Sequence, residues 1–293
     1  MLKKINFYLL FIILFYSIQA QDTRLLRYPN SSETEITFSH SGDIYVVSIN
    51  GGLARKITSS EGFEIYPRFS PDGRNIAFNA EYDGNREIYL VPSIGGEPVR
   101  LTYSMDQKDV ADRQGPDKII MGWINNDEIL YRARSKSWNI LVGNLFTVNK
   151  SGALPKEVPV PRGGYASFNS DGSKMAYNRI FREYRTWKRY SGGQADDIWI
   201  YDFKTKQIEN ISNTKFQDII PMWSGNKIYY LSDRDFTMNI FCYDLTTKQT
   251  KKITEFKDYD VKFPSLGAKH IAFENGGYIY LLDLATDKFQ KVN

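Results

Sequence analysis

Apolar and polar residues do not alternate at helical spacing along this chain; short apolar runs punctuated by turn residues recur instead. Three landmarks repeat in fixed order, six times each. The first is an aromatic residue, often beside Pro or Gly, just before a turn: Tyr28, Phe69, Trp123, Phe168 and Trp223, with Pro264 in the last copy, at intervals of 41, 54, 45, 55 and 41 residues. The second is an apolar-aromatic strand starting at Ile44, Ile88, Leu145, Ile198, Ile240 and Ile279. The third is a closing triplet starting at Lys56, Arg100, Glu157, Asn210, Lys252 and Lys291. A repeat of roughly 40–50 residues marks a propeller or solenoid.

Turn chemistry fills the gaps. Ser70–Gly73 and Asn169–Gly172 read as hairpins, and Gly51-Gly52, Gly95-Gly96 and Ser151-Gly152 precede closing strands. Asp72, Asp171, Asp202, Asp244 and Asp283 fall at repeated positions, which points to turn chemistry rather than catalysis. The pattern predicts an all-β, six-bladed β-propeller of four-stranded blades over residues 21–293. The first unit opens on its inner strand and the last ends on its outer one. Each blade is therefore expected to be one contiguous segment, with no strand exchanged to close the ring and closure left to packing between the first and last blades. A chain ending on a blade boundary is expected to be one domain of a longer protein. Two long loops, Tyr103 to Lys118 and Ile180 to Asp197, are expected to share one face.

Charge and composition narrow the picture. The chain has 293 residues and a net charge of +4, and two of its cations, Lys3 and Lys4, precede an apolar run from Ile5 to Tyr16. Residues 1–20 read as a secretory signal cleaved after Ala20, predicting a secreted or periplasmic protein without a membrane span once cleaved. A membrane anchor is the competing reading, but the run is shorter than the ~20 residues a spanning helix needs. The small remaining charge does not suggest nucleic acid. One cysteine, Cys242, excludes a disulfide within the chain and is expected to be a buried thiol. His40 and His270 lie in no metal or nucleophile motif, so no metal, cofactor or catalytic residue is expected. The strongest local feature is Arg179 to Tyr190, where Arg179, Arg182, Arg185, Lys188 and Arg189 interleave with Phe181, Tyr184, Trp187 and Tyr190. Guanidinium groups beside aromatics suit a peptide carboxylate; the competing reading is an insertion that packs on the propeller.

The stretch Tyr66 to Phe78 followed by Gly96 to Tyr103 resembles the TolB-type propeller repeat. Phe181 to Asp202, Leu231 to Thr254 and Phe273 to Thr286 resemble, more specifically, the first propeller of tricorn-type serine proteases. That resemblance implies a multidomain peptidase in which a second propeller, a PDZ domain and catalytic domains follow, carrying the Ser, His and Glu. None of those residues can be placed on this chain, which is expected to be inactive alone. The family also implies basic residues in the exit loop of blade two that hold a substrate's C-terminal carboxylate. Here that loop contains Asp112-Arg113-Gln114, so Arg113 is an offset match and the family's adjacent Arg pair is not reproduced. Expected partners are peptide substrates or products and downstream peptidase domains, with a homo-oligomer left open. Three functions compete: a non-catalytic scaffold, gate or channel of a secreted peptidase; a stand-alone periplasmic binding propeller; and a propeller enzyme with its own site in the channel, for which the inner strands offer mainly Arg27, Arg68, Tyr165, Met222 and Lys262 rather than clustered acid-base residues.

Overall fold

Each repeat folds as an antiparallel sheet of four consecutive strands, and six such sheets make a propeller in a computed structural model that describes residues 23–104, 116–134, 136, 142–180, 184 and 188–293. We call the strands a to d from axis to rim. The sheets follow the order of the chain without exchange, as the repeat phase requires. Every described residue belongs to a strand, turn or loop; none is helical.

The inner strands carry the departure from regular geometry that shapes the axis. In Arg27–Ser31, Glu64–Phe69, Asp218–Ser224 and Lys262–Leu266 the a–b register slips by a bulge. Within each slip one residue takes a left-handed backbone: Tyr28 (φ 55°), Tyr66 (φ 56°), Ile220 (φ 56°) and Phe263 (φ 45°). Such a conformation costs bulky side chains about 1–3 kcal/mol each. Proline follows every time, at Pro29, Pro67, Pro221 and Pro264, where no ladder N–H is needed. Tyr28 therefore corresponds to Tyr66, Ile220 and Phe263, and not to Phe69 as the aromatic spacing alone suggested.

The closing triplets have a physical role in four blades. Thr58, Thr102, Ser212 and Thr254 each accept an N–H at the start of strand c, from Ile44, Ile88, Ile198 and Ile240 at 2.9–3.0 Å. Each hydroxyl donates in turn to Glu64, Glu87, Asp197 or Asn239, fastening the rim strand back to the body of the ring. The repeated aspartates serve turns: Asp72, Asp171, Asp202, Asp244 and Asp283 each accept the backbone N–H two residues on; side-chain hydroxyls (at Asp72, Asp171 and Asp283) and backbone N–H groups (at Asp202 and Asp244) chiefly hold their pKa values low.

Ring closure joins blade six to blade one through side chains and a few backbone hydrogen bonds, such as Gly52 N–H to the Asn293 carbonyl at 3.2 Å and Ala268 N–H to the Ser31 carbonyl at 3.3 Å. Glu274 accepts the backbone N–H of Tyr28 at 2.7 Å and pairs with Arg27 at 2.9 Å. Asn30 donates to Ser265 and to the carbonyl of Leu266, both at 3.0 Å. At Gly267 a Cβ would lie 2.2 Å from the Ser31 carbonyl oxygen, so the close approach of the two blades requires glycine there. Replacing Glu274 with Ala leaves the Tyr28 N–H and Arg27 without their acceptor. We expect it to lower unfolding free energy by about 2–3 kcal/mol in urea titration, and Glu274→Gln to cost less because it keeps an acceptor; an unchanged midpoint for Glu274→Ala would show that closure rests elsewhere.

Candidate functional site

The axis of the ring is the place where all blades converge, and its b–c face is filled rather than open. Tyr28, Tyr66 and Phe263 meet there with ring centroids 4.3 Å (Tyr28–Tyr66) and 4.7 Å (Tyr28–Phe263) apart. Tyr165 and Ile220 complete the cluster from blades four and five. The bulges explain the convergence, since each re-aims one bulky side chain from its strand toward the centre.

Tyr184, from the 180–197 insertion, enters this cluster. Its ring lies 5.7 Å from that of Phe263, its hydroxyl donates to the Tyr28 hydroxyl at 3.1 Å, and it meets the hydroxyl of Tyr66. Tyr66 also reaches the Tyr165 hydroxyl at 3.4 Å. Burial raises the phenol pKa values of Tyr66 and Tyr184, so both keep their protons and a hydrogen-bonded tyrosine plug crosses the axis.

The insertion is gripped at its neck and along its return. Asp196, buried, accepts the N–H groups of Ile180 (2.8 Å), Arg179 (3.3 Å) and Asp197 (3.0 Å). At Gly164 a Cβ would come within 2.4 Å of the Ile180 carbonyl oxygen, so this glycine lets the neck pass. The guanidinium of Arg179 stacks 3.6 Å from the Trp199 ring centroid. Lys188 pairs with Asp260 at 2.6 Å, and Arg189 donates to the Phe236 carbonyl at 3.3 Å while covering its ring. Arg113, Arg182, Arg185, Phe181 and Trp187 lie outside the described residues. Of the basic candidates, then, Lys188 and Arg189 meet blades five and six. The sequence reading missed Tyr184 as an axial residue; nothing local distinguishes it from the other aromatics of the insertion.

No described residue outside this region forms a metal or nucleophile site. Among the described residues no group of three or more His, Cys, Asp or Glu could hold a metal ion. Burial pushes the Cys242 thiol up to about 12, leaving no thiolate at neutral pH. His270 Nε2 stands 3.8 Å from Asp283 at a strand edge. No described helix is long and apolar enough to cross a membrane, and residues 1–20 lie outside the described part.

Residues 23–288 match the model of the tricorn protease N-terminal β-propeller domain. The chain belongs to that family. A tricorn protease homolog of Saccharolobus solfataricus is 27% identical over 270 residues, covering 91% of this chain and 24% of the homolog. The tricorn protease of Thermoplasma acidophilum is 27% identical, covering 92% of this chain and 25% of that protein. The crystal structure of the tricorn protease superposes with a TM-score of 0.79 at 24% identity, over 92% of this chain and 26% of that one. The chain thus spans about a quarter of the length of these relatives.

Within this tricorn-type propeller the neck of the insertion carries a pH dependence. Burial raises the Asp196 carboxyl to about 7, above the ~4 of an unfolded chain. The folded state therefore holds an extra proton between about pH 4 and 7, and stability from this group is full below that window and declines as pH rises through it. We expect this group to lower the melting temperature as pH rises from about 4 to 7 and Asp196→Asn, which keeps an acceptor, to flatten that slope. Identical profiles for the two proteins, read by thermal melts in matched buffers, would exclude Asp196 as the source.

Proposed function

We propose that this chain is a non-catalytic scaffold and gate of a secreted tricorn-like serine peptidase, working on oligopeptides with catalytic domains supplied elsewhere in the protein. The observation that carries the reading is the axial plug. Tyr184 is brought to the axis by an insertion and is held there by hydroxyl contacts to Tyr28 and Tyr66, a geometry suited to blocking passage through the ring until the insertion lifts. The family match across residues 23–288, together with the relatives' much greater length, supports placing the chemistry in other domains. The leader at residues 1–20 supports secretion.

Peptide carboxylates would be met by the basic residues of the two long loops. Arg113, Arg182 and Arg185 are the candidates to contact ligand, with Lys188 and Arg189 released from Asp260 and Phe236 as the insertion moves. Removing Arg182 and Arg185 together is expected to weaken calorimetric binding of short peptides with a free C-terminal carboxylate about tenfold or more, since each charge-assisted hydrogen bond contributes about 1.5–3 kcal/mol, and to leave the C-terminal amides unaffected. Unchanged affinity would assign the insertion to packing. The purified chain alone is expected not to hydrolyse fluorogenic peptides; turnover above a buffer blank would overturn the non-catalytic reading.

A further inference from the structure

Behind the tyrosine plug, toward the a–b turn face, lies an axial cavity of about 100 Å³, several times the room a single water needs. Its walls come mainly from the inner strands and mix apolar side chains, Trp123, Phe168, Met222 and Leu266, with the polar Ser167 and Ser265; Tyr165 is shared with the plug. One charged side chain lines it, that of Arg68.

Arg68 is only 3% exposed and carries no carboxylate partner among the described residues. Its Nη1 donates to two backbone carbonyls, of Pro67 at 2.8 Å and Tyr28 at 3.2 Å, while Nε is buried without a hydrogen-bond partner. The carboxylate acting on it through space, Glu274, is already committed to Arg27 and the Tyr28 N–H. Desolvation lowers the guanidinium to about 10, so at neutral pH it remains a cation. Buried cations are ordinarily paired, because an uncompensated charge away from water is costly. A planar guanidinium whose Nε–H has no acceptor, lining a cavity that also presents apolar side chains, matches a carboxylate attached to a small hydrophobic group.

We propose that the axial cavity binds a carboxylate carried by a short apolar group, held by Arg68 and packed against Trp123, Phe168 and Met222. The site lies on the opposite side of the plug from the insertion and does not depend on the peptidase reading: its failure would leave Arg182 and Arg185 untouched, and theirs would leave Arg68 untouched.

Trp123 in the wall gives the readout. The probes are N-acetylleucine, N-acetylleucinamide and the tripeptide Gly-Gly-Leu, titrated against the full chain by tryptophan fluorescence, with the melting temperature followed in parallel because a ligand of the folded state raises it. N-acetylleucine is expected to bind and the amide to bind at least tenfold more weakly. A preference for N-acetylleucine over Gly-Gly-Leu would identify a free small acid as the source of the carboxylate, and the reverse preference a peptide C-terminus. Arg68→Met should abolish the discrimination between acid and amide, and Arg68→Lys, keeping charge without the planar fork, should retain only part of it. Because Arg68→Met removes an unpaired buried charge, it is expected to fold. Equal response of the wild-type chain to acid and amide, no response to either acid, or undiminished acid binding by Arg68→Met would each overturn the proposal; the first two need no variant.

Discussion

A buried backbone N–H must find an acceptor, and in this ring the bulged inner strands turn that requirement into the force that joins blades. At two of the bulges, Tyr28 and Ile220, the residue taken off the a–b ladder gives its N–H to a side chain of the preceding blade, and Ile120, at the matching place in blade three, does the same from the ladder. Blade two answers with Asn79, which accepts from Ile120 at 3.1 Å; blade four with Asn178, which accepts from Ile220 at 2.8 Å; blade six with Glu274, which accepts from Tyr28. All three acceptors occupy the same place near the end of strand b. One polar residue in each of these alternate blades therefore ties the inner strand of its neighbour in place. Leaving such a group unpaired would cost about 1–3 kcal/mol, a large fraction of a domain's stability.

The same bulges decide what the axis contains. Without them Tyr28, Tyr66 and Phe263 would follow the alternation of their strands; with them the rings converge and Tyr184 can complete a hydrogen-bonded layer. That layer divides the centre into unlike halves. One side meets the insertion, with its cations and the buried carboxyl of Asp196 at its neck. The other is a chamber of mixed lining with one guanidinium that has no carboxylate partner among the described residues. Two functional environments follow from one backbone irregularity, repeated.

Much of the architecture was legible in the chain because its signals are local. Six apolar-aromatic c strands, glycine turns and aspartate turns specify hairpins through neighbours only a few residues apart, and the phase of the first and last strands gives contiguous blades. What the residues did not disclose depends on contacts across the ring. Tyr28 sits in register with Tyr66 only because of a bulge that apolar spacing does not encode. Tyr184 looks like any aromatic of its insertion until the ring brings Tyr28 and Phe263 beneath it, and Arg68 reads as an ordinary strand cation until burial and the lack of a partner set it apart. Asp196 reads as half of an Asp-Asp pair, yet it closes the neck while Asp197 binds the Ser212 hydroxyl.

Contiguous blades give the wheel a single seam. Between successive blades the chain itself acts as a tether, so parting them is limited by the length of one loop. Among the described residues no loop links blades six and one, which are held by Glu274, Asn30, Ser265, the tight passage at Gly267 and backbone hydrogen bonds such as that from Ala268 to Ser31. A change in bore is thus mechanically easiest there, by hinging the two ends of the ring apart as a split collar opens. Tyr28 and Phe263 flank that seam and belong to the plug. The diameter of the ring and the occlusion of its centre are consequently one degree of freedom: a collar that springs at its split must also part the aromatic rings that obstruct it.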